Sequence, residues 1–416
     1  MITLICLILI FIASYLLVKE YLVALKGSKI TLKRTYDTPT FAILIPARDE
    51  SLVIPNLLDS IKKQTFKIEA KDIYIIVESK KDKTVDIANK RGINIIYRKN
   101  LTNRRRKGYA LDDAIKEIIK DKKHYDAYFI FDADNVLDRN FFKEMVKSYK
   151  KGYDIGIGYR NTKNGNASIY SAASSLTFSM INTFSNNYKL KHNLNLTISG
   201  TGFYIKGKIL EDLGGYPFNS LTEDYEFTLY ATINDLTSTY NMKAKYFDEQ
   251  PTSYNVTIKQ RTRWVKGYFD SRNKYYPLLK AKVLKKDNNY PSAYIALVGV
   301  KPYILLVVSV ILYLANLIYR IVSNSIVKVE SYNLLLQVLL IIVAVYLVLL
   351  IFTGILLIKE KDNLRLNRKM KVKALFYNPI FLASYVKCLY LALKNKDLTW
   401  EKIEHTANIK EEELKK

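Results

Sequence analysis

Three stretches of this chain carry no charged residue at all: 2–18, 302–319 and 334–358. Each is near the ~20 apolar residues that a helix needs to cross a bilayer. Between the first and second, residues 19–301 hold most of the charged residues of the chain. A chain patterned this way sets a large polar domain beside membrane helices, and a helix buried in the core of a soluble domain is the alternative for any one stretch. The composition, 49% hydrophobic and 25% charged over 416 residues, fits two segregated populations rather than one mixed one.

The first stretch has no basic segment before it and no small-x-small pattern before Lys19, so it reads as an uncleaved signal anchor rather than a cleaved leader. Lys19, Lys26, Lys29, Lys33 and Arg34 follow it, and the basic run 359–373 follows the third stretch. The positive-inside tendency then places residues 19–301 and the C-terminal segment in the cytoplasm of a multi-pass cell-membrane protein, with the N-terminus outside. The net charge of +26 is no argument for nucleic acid, because the basic residues crowd the membrane flanks and no nucleic-acid-binding motif accompanies them. Two cysteines, Cys6 and Cys388, make no disulfide framework, and three histidines make no His-rich metal centre.

Within the polar region, 41–46, 73–77, 93–97, 128–132 and 155–159 are short runs rich in β-branched and aromatic residues, which predicts strands. Between them, 51–64, 83–91, 108–120 and 140–151 show helical spacing. The alternation predicts an α/β domain with a mostly parallel sheet, helices on both faces, and a ligand site beyond the carboxyl ends of the strands. Three of those ends carry acids, in ARDE at 47–50, Glu78 and the Asp132-Ala133-Asp134 triplet.

Asp132 and Asp134 stand one residue apart at a strand end, so both can address one ligand. Mg²⁺ takes one or two such carboxylates and leaves its other positions to water and phosphate; a solvated acidic turn is the plainer alternative. Glu223 and Asp224 open a predicted helix behind Thr222, either as acids complementing the helix dipole or with Asp224 as a general base. Gln260, Arg263 and Trp264 fall at i, i+3, i+4 on one helix face. There the arginine can fork onto phosphate and the indole can stack on a sugar, or anchor the helix at the bilayer surface. Lys107, after Arg104-Arg105-Arg106 and at a helix start, makes either an anion-friendly corner or a basic loop. Residues 169–188 are uncharged and rich in Ser and Asn, which predicts a helix at the membrane interface or lining an acceptor groove, against a core helix.

In this order, IPARDE, VESKKDKT, KGYAL, FDADN, SGTGF, LTEDYE and QRTRW, flanked by membrane segments, resemble the membrane-integrated family 2 glycosyltransferases, the group of cellulose, chitin, hyaluronan and poly-N-acetylglucosamine synthases. The resemblance implies a GT-A-type nucleotide-sugar domain and inverting transfer from a UDP-sugar to a growing β-linked polysaccharide. Transfer of one sugar to a membrane lipid, or sugar-nucleotide binding without catalysis, are the other readings. By resemblance, Ala47, Glu50 and Glu78 contact uracil and ribose, Lys107 lies beside the diphosphate, and Asp132 and Asp134 hold the nucleotide and Mg²⁺ or Mn²⁺. Asp224, with Glu223, is the base; Gln260, Arg263 and Trp264 grip donor diphosphate and acceptor sugar; Gly200, Thr201 and Gly202 form the loop at the acceptor. Glu78-Ser79 departs from the Asp-Asn common at that place. The expected layout is an anchor at 1–20, a catalytic domain at 35–280, two membrane helices within 290–360, and a basic segment 361–416 whose helix at 375–394 is read as in-plane, with a fourth crossing as the alternative. Membrane lipid and other envelope-biosynthesis subunits are the expected partners, and nucleic acid is not.

Overall fold

The structure is a computed structural model that describes residues 2–323, 328–395, 398, 405 and 407–415. Its strands are β1 (Phe41–Pro46), β2 (Ile73–Val77), β3 (Asn94–Tyr97), β4 (Ala127–Ile130), β5 (Val136–Leu137), β6 (Ile155–Thr162), β7 (Phe203–Lys206) and β8 (Ser238–Asp248). They form one sheet in the order β3-β2-β1-β4-β7-β6-β8-β5. The helices of the polar domain are α2 (Ile54–Lys62), α3 (Lys83–Asn89), α4 (Lys107–Lys120), α5 (Phe141–Lys150), α6 (Ile169–Met180), α7 (Asn187–Lys191), α8 (Gly207–Asp212), α9 (Glu223–Ile233) and α10 (Tyr254–Lys285). Four more, with α11 (Tyr290–Val298) as a short lead-in, carry the apolar stretches: α1 (Ile2–Lys26), α12 (Lys301–Val322), α13 (Lys328–Lys359) and α14 (Arg368–Lys394).

β1 is buried on both faces because helices cover both. On one side Ile43 and Ile45 pack with Leu57 and Ile61 of α2, Val85 of α3 and Phe141 and Phe142 of α5. On the other, Ala42 and Leu44 pack with Leu111, Ala114 and Ile115 of α4 and Phe227 of α9. This explains why β1, β2 and β4 read as continuous apolar runs rather than alternating ones. β1 pairs in parallel with β2 on one side and β4 on the other, so the chain reverses its direction of travel there and leaves a crevice at their carboxyl ends.

The parallel run stops at β4. β7 lies antiparallel between β4 and β6, and β8 returns parallel to β6, so the predicted strand at 155–159 is not a simple continuation of the first four. Four-residue β7 is too short to mark itself in sequence. β8 exposes Met242 and Lys243 at its centre, where its pairing with β6 shifts register.

Among the described residues, four segments are long and apolar enough to cross a membrane: Ile2–Lys26, Tyr290–Val322, Leu335–Lys359 and Arg368–Lys394. The first three meet the polar domain at consistent ends. After α1, Ser28 donates its N–H to His192 O at 3.1 Å and its hydroxyl to Asn289 Oδ1 at 3.0 Å. Before α12, Val300 N–H donates to Tyr268 Oη at 3.1 Å. After α13, buried Glu360 accepts from Tyr159 Oη at 2.5 Å.

α14 begins seven residues before the predicted 375–394 helix, inside the basic run, with Asn367 as its cap. It packs along α6, α10 and α13. Its leading end is tied to the domain by the Asn367 N–H on Asn166 Oδ1 at 2.9 Å. The predicted helix at 169–188 is real but broader: α6 opens with a Ser168–Ser171 capping box, widens into a π-helical turn over 181–186 and continues as α7. Residues 171–179 are all buried, against Leu356 of α13 and Ala374 of α14 among others, while Thr177, Phe178 and Ile181 reach the cleft described next.

Candidate active site

A cleft of about 670 Å³ lies at the carboxyl ends of β1, β2 and β4. Ala47, Glu50, Glu78, Lys107, Asp132, Asp134, Gly200, Glu223, Asp224, Gln260, Arg263 and Trp264 all line it. Of the residues picked out by sequence, Thr201 and Gly202 alone are absent from its wall. Thr201 is fully buried and spends its hydroxyl inside the fold, accepting the Asp132 N–H at 2.9 Å and donating to Asn135 Oδ1. Gly202 has φ +68° and packs against the Tyr246 ring, which leaves no room for a Cβ. Thr201 and Gly202 shape the loop, and Gly200 is the member that faces the cleft.

Two bonds tie the distant motifs together. The Lys107 ammonium, at the first turn of α4, donates to Asp132 Oδ1 and to Gly200 O, the latter at 2.7 Å. A Cβ built on Gly200 would stand 3.4 Å from Asp224 Oδ2, so the loop and the first turn of α9 nearly touch. The strand end, the basic helix start, the glycine loop and the acidic helix start thus converge on one spot, although residues 107 and 224 are far apart in sequence.

Each charge there has an identifiable environment. Burial pushes the Glu223 carboxyl up to about 7, helped by the adjacent Asp224 and opposed by Lys107 and Arg263. Burial also raises Asp224, against the Tyr225 N–H on its Oδ1 at 2.8 Å and the charges of Lys107, Arg160 and Arg263. For Asp134 burial pushes the same way, but His405, Lys163 and the Glu249 N–H at 2.6 Å outweigh it and hold the group below the usual carboxylate range. Asp134 is held ionised while burial raises Glu223 and Asp224, an arrangement suited to separate roles.

Hard oxygen donors face the cleft at Asp132 and Asp134, and a third, Asp248 Oδ1, is buried with no hydrogen-bond partner. Among the described residues no three His, Cys, Asp or Glu side chains close around one point. The donor set suits Mg²⁺ or Mn²⁺ held by one or two carboxylates and completed by phosphate and water. Arg263, on α10, has no hydrogen-bond or ion-pair partner among the described residues, and its five N–H donors face the cleft beside Glu223, Asp224 and Asp132. Trp264 stands edge-on to Phe178, ring centroids 6.0 Å apart.

Several wall residues escape sequence reading. Arg98 is buried and braces Glu78 at 3.2 Å, and Arg48 adds a second contact at 3.4 Å. Arg160 binds Asp248 and Ser199 O, with its guanidinium 3.8 Å from the centre of the Phe178 ring. His405, from the C-terminal segment beyond α14, bonds Glu50 Oε2 at 3.1 Å; Asp134 and Glu50 raise it to about 9 despite burial. Asn408 and Glu412 tie this tail to Asn56 and Lys63 of the α2 region. No local pattern announces any of these, since each depends on a partner distant in sequence. Arg261, inside QRTRW but off its cleft face, is 1% exposed and clamps α10 to α6 and α14 through Thr177 Oγ1 at 3.0 Å and Phe381 O at 3.2 Å.

The profile of the family described as "Glycosyltransferase like family 2" matches residues 39–267, more than half of the chain, and the chain belongs to that family. "Probable glycosyltransferase YdaM" of Bacillus subtilis (strain 168) is 25% identical over 243 residues, which are 56% of this chain and 56% of that protein. The matched region thus spans little more than half of that relative's length. Among solved structures, the mannosyltransferase PcManGT from Pyrobaculum calidifontis, in complex with GDP-Man and Mn²⁺, is similar over 94% of this chain and 99% of that one, with TM-score 0.57 and 15% identity. At that identity the likeness is one of fold.

Proposed function

We propose that this protein is a membrane-bound inverting glycosyltransferase that uses a UDP-sugar and a divalent cation to extend a β-linked saccharide at the cytoplasmic face. The observation that carries the reading is the convergence of Lys107, Asp132, Asp134, Gly200, Asp224, Arg263 and Trp264 on a single cleft. Ala47, Glu50 and Glu78 at the ends of β1 and β2 lie where a nucleoside would sit, with Arg48 and Arg98 orienting Glu78.

Asp132 and Asp134 would hold Mg²⁺ or Mn²⁺, which when bound neutralises charge on the diphosphate. Lys107 and Arg263 bring cations to the same diphosphate from opposite walls and stabilise the negative charge that grows on the departing nucleotide. Asp224 accepts the proton of the acceptor hydroxyl as its oxygen attacks the anomeric carbon from the face opposite the leaving group. Its pKa, raised by burial, makes it a stronger base than an ordinary carboxylate. Trp264 gives the acceptor sugar an apolar stacking face.

The layout at the membrane follows the same reading. The domain-side ends of α1, α12 and α13 support three crossings with the N-terminus outside, and α14 lies in the interfacial plane along α6 and α10.

The test is nucleotide release by the purified full chain against a panel of UDP- and GDP-sugars, with and without Mn²⁺, followed by product sizing. Metal-dependent release of UDP and a product lengthened by β-linked sugar are expected. Donor binding without release would leave a sugar-nucleotide sensor instead.

A further inference from the structure

The cleft does not end at the sugar site. Past Trp264 its wall consists of Phe269 on α10, Val300 and Ile304 at the start of α12, and Tyr385 and Leu389 on α14. None of these side chains is charged, and α12 and α14 are two of the segments apolar enough to cross a bilayer. One turn further along the same helices, Val307, Val308 and Leu393 are exposed, so the apolar lining passes onto apolar outer surface.

A water-soluble saccharide placed against this wall would lose hydration from its hydroxyls and find only the Tyr385 hydroxyl in exchange. A hydrocarbon chain loses nothing there and gains ~25 cal/mol for each Å² it buries. The inner end restricts the head group. Glu223 and Asp224 line the cleft beside the glycine loop, and a carboxylate placed to take a proton does nothing for a lipid phosphate, whose oxygen is already ionised and needs no base. A neutral hydroxyl is the nucleophile that gains from them. Trp264 between the two ends offers a face for a sugar ring.

Resting on the glycosyl-transfer reading, we propose that the acceptor is a neutral glycolipid: its terminal sugar lies on Trp264 with a hydroxyl at Asp224, and its hydrocarbon lies between α10, α12 and α14.

The test uses the full chain in phosphatidylcholine vesicles, with the radiolabelled donor that releases nucleotide in the panel above. Four acceptors are compared: a monoglycosyl diacylglycerol, diacylglycerol itself, a polyprenyl phosphate, and the water-soluble glycoside bearing the same sugar. Label is expected in the organic phase with the glycolipid, at a kcat/KM at least about tenfold above that of the soluble glycoside, because only the lipid gains the apolar contact. Ile304→Asp and Leu389→Gln are each expected to raise the KM for glycolipid more than they lower kcat, and UDP binding by the same preparations reports that they are folded.

Label passing to the soluble glycoside equally well, or to polyprenyl phosphate or diacylglycerol in preference, overturns the proposal, as does an unchanged glycolipid KM in both folded variants. Absence of nucleotide release with every donor instead overturns the parent reading, so the two failures are distinguishable.

Discussion

The donor end of the cleft and its membrane end meet at Arg263 and Trp264 but are made of different material. Strand termini and the first turns of α4 and α9 build the donor end, where Glu50, Glu78, Lys107, Asp132 and Asp134 stand on short segments following apolar runs. Side chains of α10, α12 and α14 build the membrane end, and they belong to long helices, of which α10 and α14 meet across more than a hundred residues. A strand end fixes which way its side chains point over a few residues, so chemistry there takes the form of short ordered motifs. A groove between helices depends on how whole helices cross, and no short motif encodes that. The first kind of site can be read from sequence and the second must be seen.

The largest effect is expected where the two ends hand over. Asp224→Asn keeps the shape and removes the base, so transfer should fall by ~10²–10⁴ while donor affinity measured by calorimetry stays close to wild type. Near-normal turnover would take Asp224 out of that role. Asp134→Ala should act on the donor end alone, abolishing the activation by Mn²⁺; an unchanged metal titration would count against the cation assignment.

A smaller effect separates binding from scaffolding within one motif. Arg261→Ala removes hydrogen bonds from a charged donor and opens the α6–α10–α14 junction, for a destabilisation on the order of 2–4 kcal/mol with little change in donor Kd. Trp264→Ala should do the reverse, raising acceptor KM without lowering the melting temperature.

The smallest effect concerns pH. Glu223 has a folded-state pKa raised to about 7 by burial first and Asp224 second. A raised carboxyl binds its proton more tightly in the folded state. The resulting stability is therefore present below the ordinary carboxylate range and is lost as pH rises through about 7. Glu223→Gln, neutral throughout, should melt higher than wild type at about pH 8 and level with it at about pH 4. A variant that melts no higher at the upper pH would mean that Glu223 carries no such penalty.

The legible part of the molecule follows the same division. β1 and β2 fall on 41–46 and 73–77 as their apolar runs predict, because strands buried on both faces leave an uninterrupted signature. β7 and β8 leave none, one through its length and the other through its exposed middle. Lys107, Asp132 and Asp224 could be chosen from motif spacing, whereas Arg98, Arg160 and His405 acquire meaning only beside Glu78, Asp248 and Glu50. Gly202 and Thr201 lie behind the cleft wall, since a motif includes residues that build a loop as readily as those that face the cleft.

The most direct test is a double-mutant cycle on UDP-sugar affinity with Lys107→Ala and Arg263→Ala, one cation from the donor end and one from the junction of the two ends. If both grip one diphosphate, the losses couple by about 1 kcal/mol or more. Losses that add to within ~0.5 kcal/mol would mean that the two residues serve different ligands, and the single shared site would be contradicted.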